Sequence, residues 1–236
     1  MQKILSGRGV ASRRAAERMI LDGRITVNGR TAELGQRADA RRDAIAVDGA
    51  PLPDEAGSVY IMLNKPRGYI TTMDDDRGRR TVASLVRGAG ARVYPVGRLD
   101  MDSEGLLLMT NDGDFALRVA HPSGMKEKVY HAEVRGDARA AADVLTRPMD
   151  IEGRSVTAAR VETLCVTASG GLLAITIREG RNRQIRRMCR EAGLYVVSLK
   201  RVAVGGVELG ELPSGKWRRL TDEELRRIDS PGVKAE

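Results

Sequence analysis

A carboxylate in a turn that starts with glycine is the first group in this chain whose placement indicates chemistry. Asp100 lies two residues after Arg98, in a turn that begins at Gly97. An apolar run of strand length, from Leu106 to Met109, follows and would anchor the turn to a rigid sheet. A carboxylate held in this way can act as a nucleophile or as a base. The same residues are also compatible with a surface turn whose aspartate bonds its own backbone.

An arginine-rich segment, residues 178–190, offers cations for such a carboxylate. It holds six arginines and one acid, and a neighbouring cation keeps a carboxylate ionised by lowering its pKa. If residues 183–192 form a helix, four arginines share one face and the apolar residues share the opposite face. The four arginines are Arg183, Arg186, Arg187 and Arg190. An ordinary amphipathic helix with a solvated basic face would show the same pattern.

The composition indicates a globular protein with a polyanionic partner. Of the 236 residues, 42% are hydrophobic and 31% are charged, and the formal net charge is +8. This excess favours nucleic acid, with an anionic membrane surface as the next candidate. Aromatic residues make up only 3%, so RNA would be bound through arginine, lysine and shape rather than on a platform of aromatic rings.

Membrane, metal and cofactor signals are missing from the sequence. No run reaches the ~18 apolar residues that a membrane span needs, and the polar start has no signal-peptide core, so we expect a cytoplasmic protein. The two cysteines and two histidines lack zinc-ligand spacing. There is no Walker A loop, and the acids at 74–76 are interpreted as a solvated loop. We expect no metal and no cofactor.

The predicted elements divide the chain into two domains. Residues 1–52 form a small basic domain with ten Lys and Arg against six Asp and Glu. Residues 53–58 are a linker, because this stretch is rich in proline, glycine and acids. A larger domain covers 59–229, and residues 230–236 are a frayed tail.

Helices and strands mix without a strict alternation. Ser12 is a good N-cap for the first predicted helix. Helices are predicted over 13–21, 114–120, 137–145, 183–192 and 222–228, and strands over 25–27, 44–47, 59–63, 106–109, 128–134, 172–177, 194–204 and 217–220. This order indicates an α+β fold with a mainly antiparallel sheet.

The block from Tyr94 to Gly113 resembles the catalytic motif of RNA pseudouridine synthases, specifically the RsuA/RluB type that modifies single uridines in ribosomal RNA. Residues 126–130 resemble the tyrosine motif of that family, and residues 178–190 resemble its third catalytic motif. The resemblance implies that Asp100 breaks and remakes the glycosidic bond of a flipped-out uridine without a cofactor.

Roles for further residues follow from the same resemblance. It implies that Tyr130 stacks on the uracil, that Arg186 pairs with Asp100 and that Ile185 lines the uracil pocket. Arg98 would fill the gap that the flipped base leaves. Residues 1–52 resemble the alpha-L RNA-binding domain named after the fourth small-subunit ribosomal protein. The RNA-binding residues implied are Lys3, Arg13, Arg14, Lys65, Arg67, Arg183, Gln184 and Arg187.

The implied substrate is ribosomal RNA or a pre-ribosomal particle, with 23S favoured over 16S rRNA. No protein partner is implied, and a monomer is expected. Two other functions use the same scaffold: a non-catalytic RNA-binding ribosome-assembly factor, and an N-glycosidase that releases free base. The products separate the three, because they would be pseudouridine, unchanged RNA or free uracil.

Overall fold

A computed structural model describes residues 1–121 and 124–230. The predicted tail therefore lies outside the described residues from position 231 onward. The described chain has two main sheets, one of four strands and one of nine, together with a two-stranded ribbon. Within the described ranges, no helix is long and apolar enough to cross a membrane.

The first 52 residues build the four-stranded sheet and two helices around one small core. Its elements are α1 (Gln2–Gly7), α2 (Arg13–Leu21), β1 (Ile25–Val27), β2 (Arg30–Thr31), β3 (Ile45–Val47) and β4 (Ala50–Pro51). The predicted N-cap is confirmed, because the Ser12 hydroxyl accepts a hydrogen bond from the amide of Ala15 at 3.1 Å. The apolar faces of both helices pack on β1 and β3 around Leu5, Ala16 and Ile25.

The nine-stranded sheet carries the remaining architecture. Its strands, with those of the ribbon, are β5 (Tyr60–Lys65), β6 (Tyr94–Pro95), β7 (Glu104–Thr110), β8 (Lys128–Arg135), β9 (Met149–Asp150), β10 (Ser155–Val156), β11 (Arg160–Thr167), β12 (Gly170–Ile177), β13 (Tyr195–Val204), β14 (Val207–Glu208) and β15 (Trp217–Arg219). The order across the sheet is β11-β12-β8-β13-β7-β5-β15, with β6 and β14 attached to β7 and β13. Every described pairing is antiparallel except that of β7 with β13. The predicted α+β class with a mainly antiparallel sheet is confirmed.

Helices cover both faces of this sheet. They are α3 (Gly113–Ala120), α4 (Ala138–Leu145), α5 (Gln184–Glu191) and α6 (Asp222–Asp229), with a 3-10 turn at Val82–Leu85. In β7, Leu107 and Met109 join the core under α4 and α5, whereas Leu106 and Leu108 join the core under α3 and α6. Burial on both faces explains why this strand is an unbroken apolar run.

The parallel pair of β7 and β13 depends on one glycine. Gly105 lies opposite Arg201 and has a φ of +104°. A Cβ atom there would lie 2.2 Å from the carbonyl oxygen of Arg201, which no side chain tolerates. Glycine therefore lets the two central strands meet immediately after the turn that carries Asp100.

Several short elements, among them α1, were not predicted, and two further differences concern the sheet edge and the site. Strand β11 was not predicted, because most of its residues are exposed at the sheet edge and give no buried alternation. Helix α5 begins at Gln184, one residue later than predicted, because Arg183 is its N-cap and has a left-handed backbone with φ +50°. This shift removes Arg183 from the arginine face of the predicted helix.

Candidate active site

The loop between β6 and β7 presents Asp100 to a cleft. Gly97 has a φ of +77°, which permits the turn that the sequence predicted. The hydroxyl of Thr71 donates to the carbonyl oxygen of Leu99 at 2.6 Å and accepts from its amide at 3.2 Å. The Asp100 side chain is one-third exposed and lines the cleft. Its backbone is thus fixed while its carboxylate stays accessible.

Lys65 anchors this loop from below. Its side chain is fully buried, and its ammonium donates to the carbonyl oxygens of Pro66, Asp100 and Ser103 at 3.0, 3.0 and 2.7 Å. Burial lowers the pKa of Lys65 to about 8, against the attraction of Asp100. The prediction that Lys65 contacts RNA phosphate is wrong, because the ammonium is enclosed and satisfied by the protein.

Asp102 organises the arginines around the cleft. Arg183 donates to both oxygens of the Asp102 carboxylate, at 3.0 and 2.9 Å, and lies 3.9 Å from Oδ2 of Asp100. The hydrogen bond from Arg183 lowers the pKa of Asp102, and the same contact raises the pKa of Arg183. Bidentate geometry of this kind is the strong form of an arginine–carboxylate pair. Asp102 was not predicted as a site residue, whereas the structure has it in contact with both Arg183 and Arg186.

The predicted pair between Arg186 and Asp100 is wrong. Arg186 donates to the carbonyl oxygens of Val196 and Asp102 at 3.1 and 3.0 Å, and its Nε lies 3.3 Å from the Asp102 carboxylate. The cation beside Asp100 is instead Arg183. The physical reason is the left-handed Arg183 N-cap, which turns that side chain toward the loop while Arg186 braces the loop backbone.

Tyr130 and Ile185 line the same cleft as Asp100. The cleft has a volume of about 440 Å³, and its apolar wall includes Leu108, Ile177 and Leu199. Tyr130 is 7% exposed and Ile185 is 3% exposed. An apolar, ring-bearing pocket next to a fixed carboxylate can enclose a flat heterocycle.

Two cleft residues were missed by the sequence interpretation, Arg201 and Lys128. Arg201 is buried, donates from Nε to the carbonyl oxygen of Leu106 at 2.7 Å and lies 3.4 Å from the hydroxyl of Tyr130. The Lys128 ammonium donates to the carbonyl oxygens of Lys126 and Arg178. Strand alternation was the signal that could have identified Lys128, because it lies two residues before Tyr130 and so on the same side of β8. Arg201 pairs with Tyr130 across the sheet.

Gln184 belongs to the protein interior. It is 3% exposed, donates to Glu179 at 2.9 Å and accepts from the amide of Arg181 at 3.1 Å. The prediction that Gln184 binds RNA is therefore wrong. Arg187 is ion-paired with Glu152, so a contact with phosphate would require an exchange of partners.

Arg98, which was predicted to fill the gap left by the flipped base, and the remaining predicted RNA-binding residues lie on the surface. Arg98 is exposed at the rim of the cleft, and Arg13, Arg14 and Arg67 are exposed elsewhere. Lys3 is exposed and bonded to Asp114 at 2.9 Å. The cleft itself is lined by six basic and two acidic side chains, so it presents a positive surface to a polyanion.

The described residues contain no cluster of His, Cys, Asp or Glu able to hold a metal ion. Of the acids at 74–76, Asp75 is bound by Arg79 through a bidentate contact. This hydrogen bonding lowers the pKa of Asp75 to about 2. Asp75 is therefore neutralised by an arginine of its own loop.

Comparisons with known proteins agree with this arrangement. Residues 59–191 match the family model described as RNA pseudouridylate synthase, and residues 2–41 match the S4 domain. The chain is 39% identical over 232 residues to ribosomal large subunit pseudouridine synthase B of Bacillus subtilis (97% of this chain, 94% of the relative). It is 41% identical over 234 residues to an RNA pseudouridine synthase of Mycobacterium tuberculosis (97% and 92%).

A solved structure agrees as well. The crystal structure of a pseudouridylate synthase superimposes with a TM-score of 0.69 at 28% identity and covers 96% of this chain and 98% of its own. The fixed carboxylate in the cleft agrees with the relatives, which match over nearly their full length, and with the solved structure. The chain therefore belongs to the RNA pseudouridylate synthase family.

Proposed function

We propose that this enzyme converts a single uridine to pseudouridine in ribosomal RNA of the large subunit. The main support for this proposal is the position of Asp100. Lys65 fixes its backbone, and its side chain faces a basic cleft that also contains Tyr130. The target class follows the printed name of the Bacillus subtilis relative, which refers to the large ribosomal subunit. Free rRNA and a pre-ribosomal particle are both compatible with this surface.

Asp100 is the proposed catalytic residue. Its carboxylate attacks the sugar at C1′ or removes a sugar proton while the uracil departs, and either route needs the ionised form. The ammonium of Lys65 fixes its backbone, and the guanidinium of Arg183 supplies the nearby positive charge. Arg186 is a positioning residue, because it holds the backbone and carboxylate of Asp102 rather than the reacting groups.

The uracil is proposed to lie between Tyr130 and Ile185. Flipping a base into such a pocket costs a few kcal/mol. We propose that Arg98, at the rim, fills the space that the flipped base leaves in the RNA helix. Arg183 then has two proposed roles. It supplies positive charge beside Asp100, and it binds an RNA phosphate when that phosphate replaces Asp102 as its partner.

The first 52 residues are proposed as an RNA-binding domain joined by a linker at 53–58 to a catalytic domain at 59–229. Arg13, Arg14 and Lys3 would contact phosphate, with Arg67 and Arg187 on the catalytic side. We further propose a cytoplasmic monomer that needs no protein partner and no cofactor.

The proposed function predicts that Asp100→Asn abolishes pseudouridine formation and leaves RNA binding within about tenfold, because the amide keeps the shape but not the nucleophile or base. Purified protein is incubated with large-subunit rRNA transcripts, and the nucleosides are separated chromatographically. Pseudouridine is expected from the wild type only.

Four results would contradict this proposal or part of it. Unchanged RNA with intact binding would indicate an assembly factor, and free uracil would indicate an N-glycosidase. Turnover by Asp100→Asn would assign the chemistry to another group. Mapping pseudouridines in rRNA from a deletion strain then identifies the target, and a loss confined to 16S rRNA would refute the large-subunit assignment.

A further inference from the structure

Arg201 is a buried cation whose contacts leave its charge uncompensated. It is 4% exposed, and its two hydrogen-bond partners are the carbonyl oxygen of Leu106 and the hydroxyl of Tyr130. Among residues 1–121 and 124–230, no carboxylate forms an ion pair with it. Burial of a charge without a counter-charge is unfavourable, so the fold keeps this guanidinium at the expense of stability.

The guanidinium faces the place where the base must lie. Arg201 lines the cleft together with Asp100 and Ile185. Its central carbon lies 5.9 Å from the ring centre of Tyr130. These two residues are direct partners across β8 and β13, so the cation and the ring form one wall of the pocket.

A second cation stands on the same wall. Lys128 lines the cleft and lies two residues before Tyr130, on the same side of β8. Its ammonium donates to two backbone carbonyl oxygens, at 3.1 and 3.3 Å. The pKa of Lys128 is lowered to about 8, chiefly by burial and in smaller part by the like charge of Arg201, while Glu179 opposes the shift.

The backbone is arranged to hold Arg201 in this place. Gly105 lies opposite Arg201 and leaves room for its carbonyl oxygen, where a Cβ atom would collide. This close approach brings Nε of Arg201 to the carbonyl oxygen of Leu106, the next residue of β7. The guanidinium is therefore oriented before any substrate arrives.

The reaction generates an anion that matches this wall. When the N1–C1′ bond breaks, its electron pair leaves with the uracil, and the negative charge spreads over N1, O2 and O4. The electron-poor C1′ is captured by the Asp100 carboxylate, or a sugar proton is lost to it. The base then turns, and C5 bonds to C1′ as the Asp100 oxygen leaves C1′ or, on the other route, as Asp100 returns the sugar proton. The proton on C5 is lost to solvent or a base, and N1 takes up one proton, so the product is neutral. No electrons are exchanged with another molecule.

We propose that Arg201 is a catalytic residue whose guanidinium, assisted by the ammonium of Lys128, stabilises the negative charge on the uracil while the N1–C1′ bond is broken. Preorganised cations aimed at developing charge are among the largest contributions to catalysis. The inference rests on the proposed binding of uridine in the Asp100 cleft, and it holds for either route that Asp100 takes.

The test compares two leaving groups. A fragment of large-subunit rRNA carrying the target uridine is prepared with uridine or with 5-fluorouridine at that position. Fluorine withdraws electrons, so the departing fluorouracil needs less stabilisation. Because C5 then carries no proton to release, the readout for both RNAs is the single-turnover disappearance of the starting nucleoside.

Arg201→Met removes the charge and keeps most of the side-chain volume. We expect it to slow the reaction of uridine by about 10²- to 10³-fold and the reaction of 5-fluorouridine by a factor about tenfold smaller. RNA affinity should stay within about threefold, and Arg201→Lys should recover much of the lost rate. Arg139→Met, an exposed arginine of α4, is the control for loss of a positive charge and should match the wild type on both RNAs.

Tyr130→Phe separates the guanidinium from its tyrosine contact. It keeps the ring and removes the hydroxyl, so its rate loss should be similar for uridine and 5-fluorouridine. If Arg201→Met does not fold, Lys128→Met decides the question, with a smaller rate loss that also shrinks with 5-fluorouridine.

Equal losses on the two RNAs for Arg201→Met, or for Lys128→Met if the arginine variant does not fold, with an active wild type, would overturn the inference and leave Arg201 as a support for Tyr130. A wild-type protein that forms no pseudouridine overturns the proposed function and this inference together. The two failures are thus distinguishable.

Discussion

Arg183 combines a left-handed backbone with contacts to two carboxylates. Its φ is +50°. Its guanidinium donates two hydrogen bonds to the Asp102 carboxylate and lies 3.9 Å from Oδ2 of Asp100. Strained backbone of this kind often accompanies a functional role. The side chain and the backbone conformation can be tested separately.

Arg183→Ala and Arg183→Gly remove the same guanidinium but differ in backbone freedom. Both should lose most of the single-turnover rate, because Asp100 loses its nearby cation. The glycine variant should be more stable than the alanine variant by about 1 kcal/mol, since only alanine opposes the left-handed conformation. Urea unfolding measures this difference, and an alanine variant of equal or greater stability would show that the strain is absent.

Lys65 makes stability depend on pH in a defined direction. Its pKa falls from 10.5 in the unfolded chain to about 8 in the folded protein. Below pH 8 the cost of burying the ammonium is fully present. Between pH 8 and 10.5 the unfolded chain binds a proton that the folded protein has lost, so the contribution of Lys65 to the free energy of unfolding rises with pH.

The matched comparison is wild type against Lys65→Met, in which every other titrating group is shared. The stability of the wild type relative to the variant should increase from pH 7.5 to pH 10, measured by urea unfolding. A constant or falling difference would mean that the folded pKa of Lys65 is not lowered.

Sequence patterns placed the proposed reacting residues in the cleft better than they placed the neighbours of those residues. Asp100, Tyr130 and Ile185 meet in one cleft because the loop before β7, strand β8 and the first turn of α5 all border it. Lys65 and Gln184 were misassigned, because lysine and glutamine are usually exposed and only the folded chain shows their burial. The partner of Asp100 was missed because one left-handed residue redirects Arg183.

At the scale of elements, the junction of β7 and β13 positions the site. It is the parallel pairing in an otherwise antiparallel sheet, and it sits directly after the Asp100 turn. Gly105 permits it, with φ +104° and the carbonyl oxygen of Arg201 inside the space that a Cβ atom needs. A side chain here must separate the two strands.

Gly105→Ala should therefore destabilise the protein by about 2–5 kcal/mol, the combined cost of an unfavourable φ and of overpacking. Gly57→Ala is the control, because no atom lies within 4 Å of the added Cβ and no positive φ is involved. Its midpoint in thermal unfolding should match that of the wild type. Similar midpoints for the two variants would refute the close approach.

Elements were predictable where the burial of their side chains requires a regular pattern of apolar residues in the sequence. The apolar runs of β7 and β12 and the caps of α2 and α6 are local signals, and the structure has each element near its predicted place. Strand β11 escaped because its exposed edge residues have no such pattern. The parallel junction escaped because nothing local in Gly105 identifies its partner.

At the scale of the whole molecule, basic charge is spread over two regions that contact each other. The first 52 residues carry ten of the 40 lysines and arginines. Lys3 of α1 is bonded to Asp114 of α3, and Arg8 donates to the carbonyl oxygen of Pro53 at 3.1 Å. Exposed arginines of α2 remain accessible to a polyanion.

The double variant Arg13→Gln, Arg14→Gln should weaken rRNA binding and lower the slope of log affinity against log salt by about 1–2 units. The reason is that each phosphate contact that is lost reduces the number of counterions released on binding. The rate at saturating RNA should be unchanged. Filter binding at several salt concentrations measures the slope. Wild-type affinity and slope would exclude α2 from the RNA interface.

The ammonium of Lys65 also links catalysis to the order in which the chain folds. It belongs to β5, yet one of its acceptors, the carbonyl oxygen of Ser103, lies 38 residues further along. Between them runs the long segment that includes the 3-10 turn. The Asp100 loop therefore acquires its shape only after the central strands have paired. During synthesis or refolding, an incomplete chain would carry Asp100 without the loop that fixes it, so any reaction that depends on this carboxylate has to wait until the core of the protein is complete.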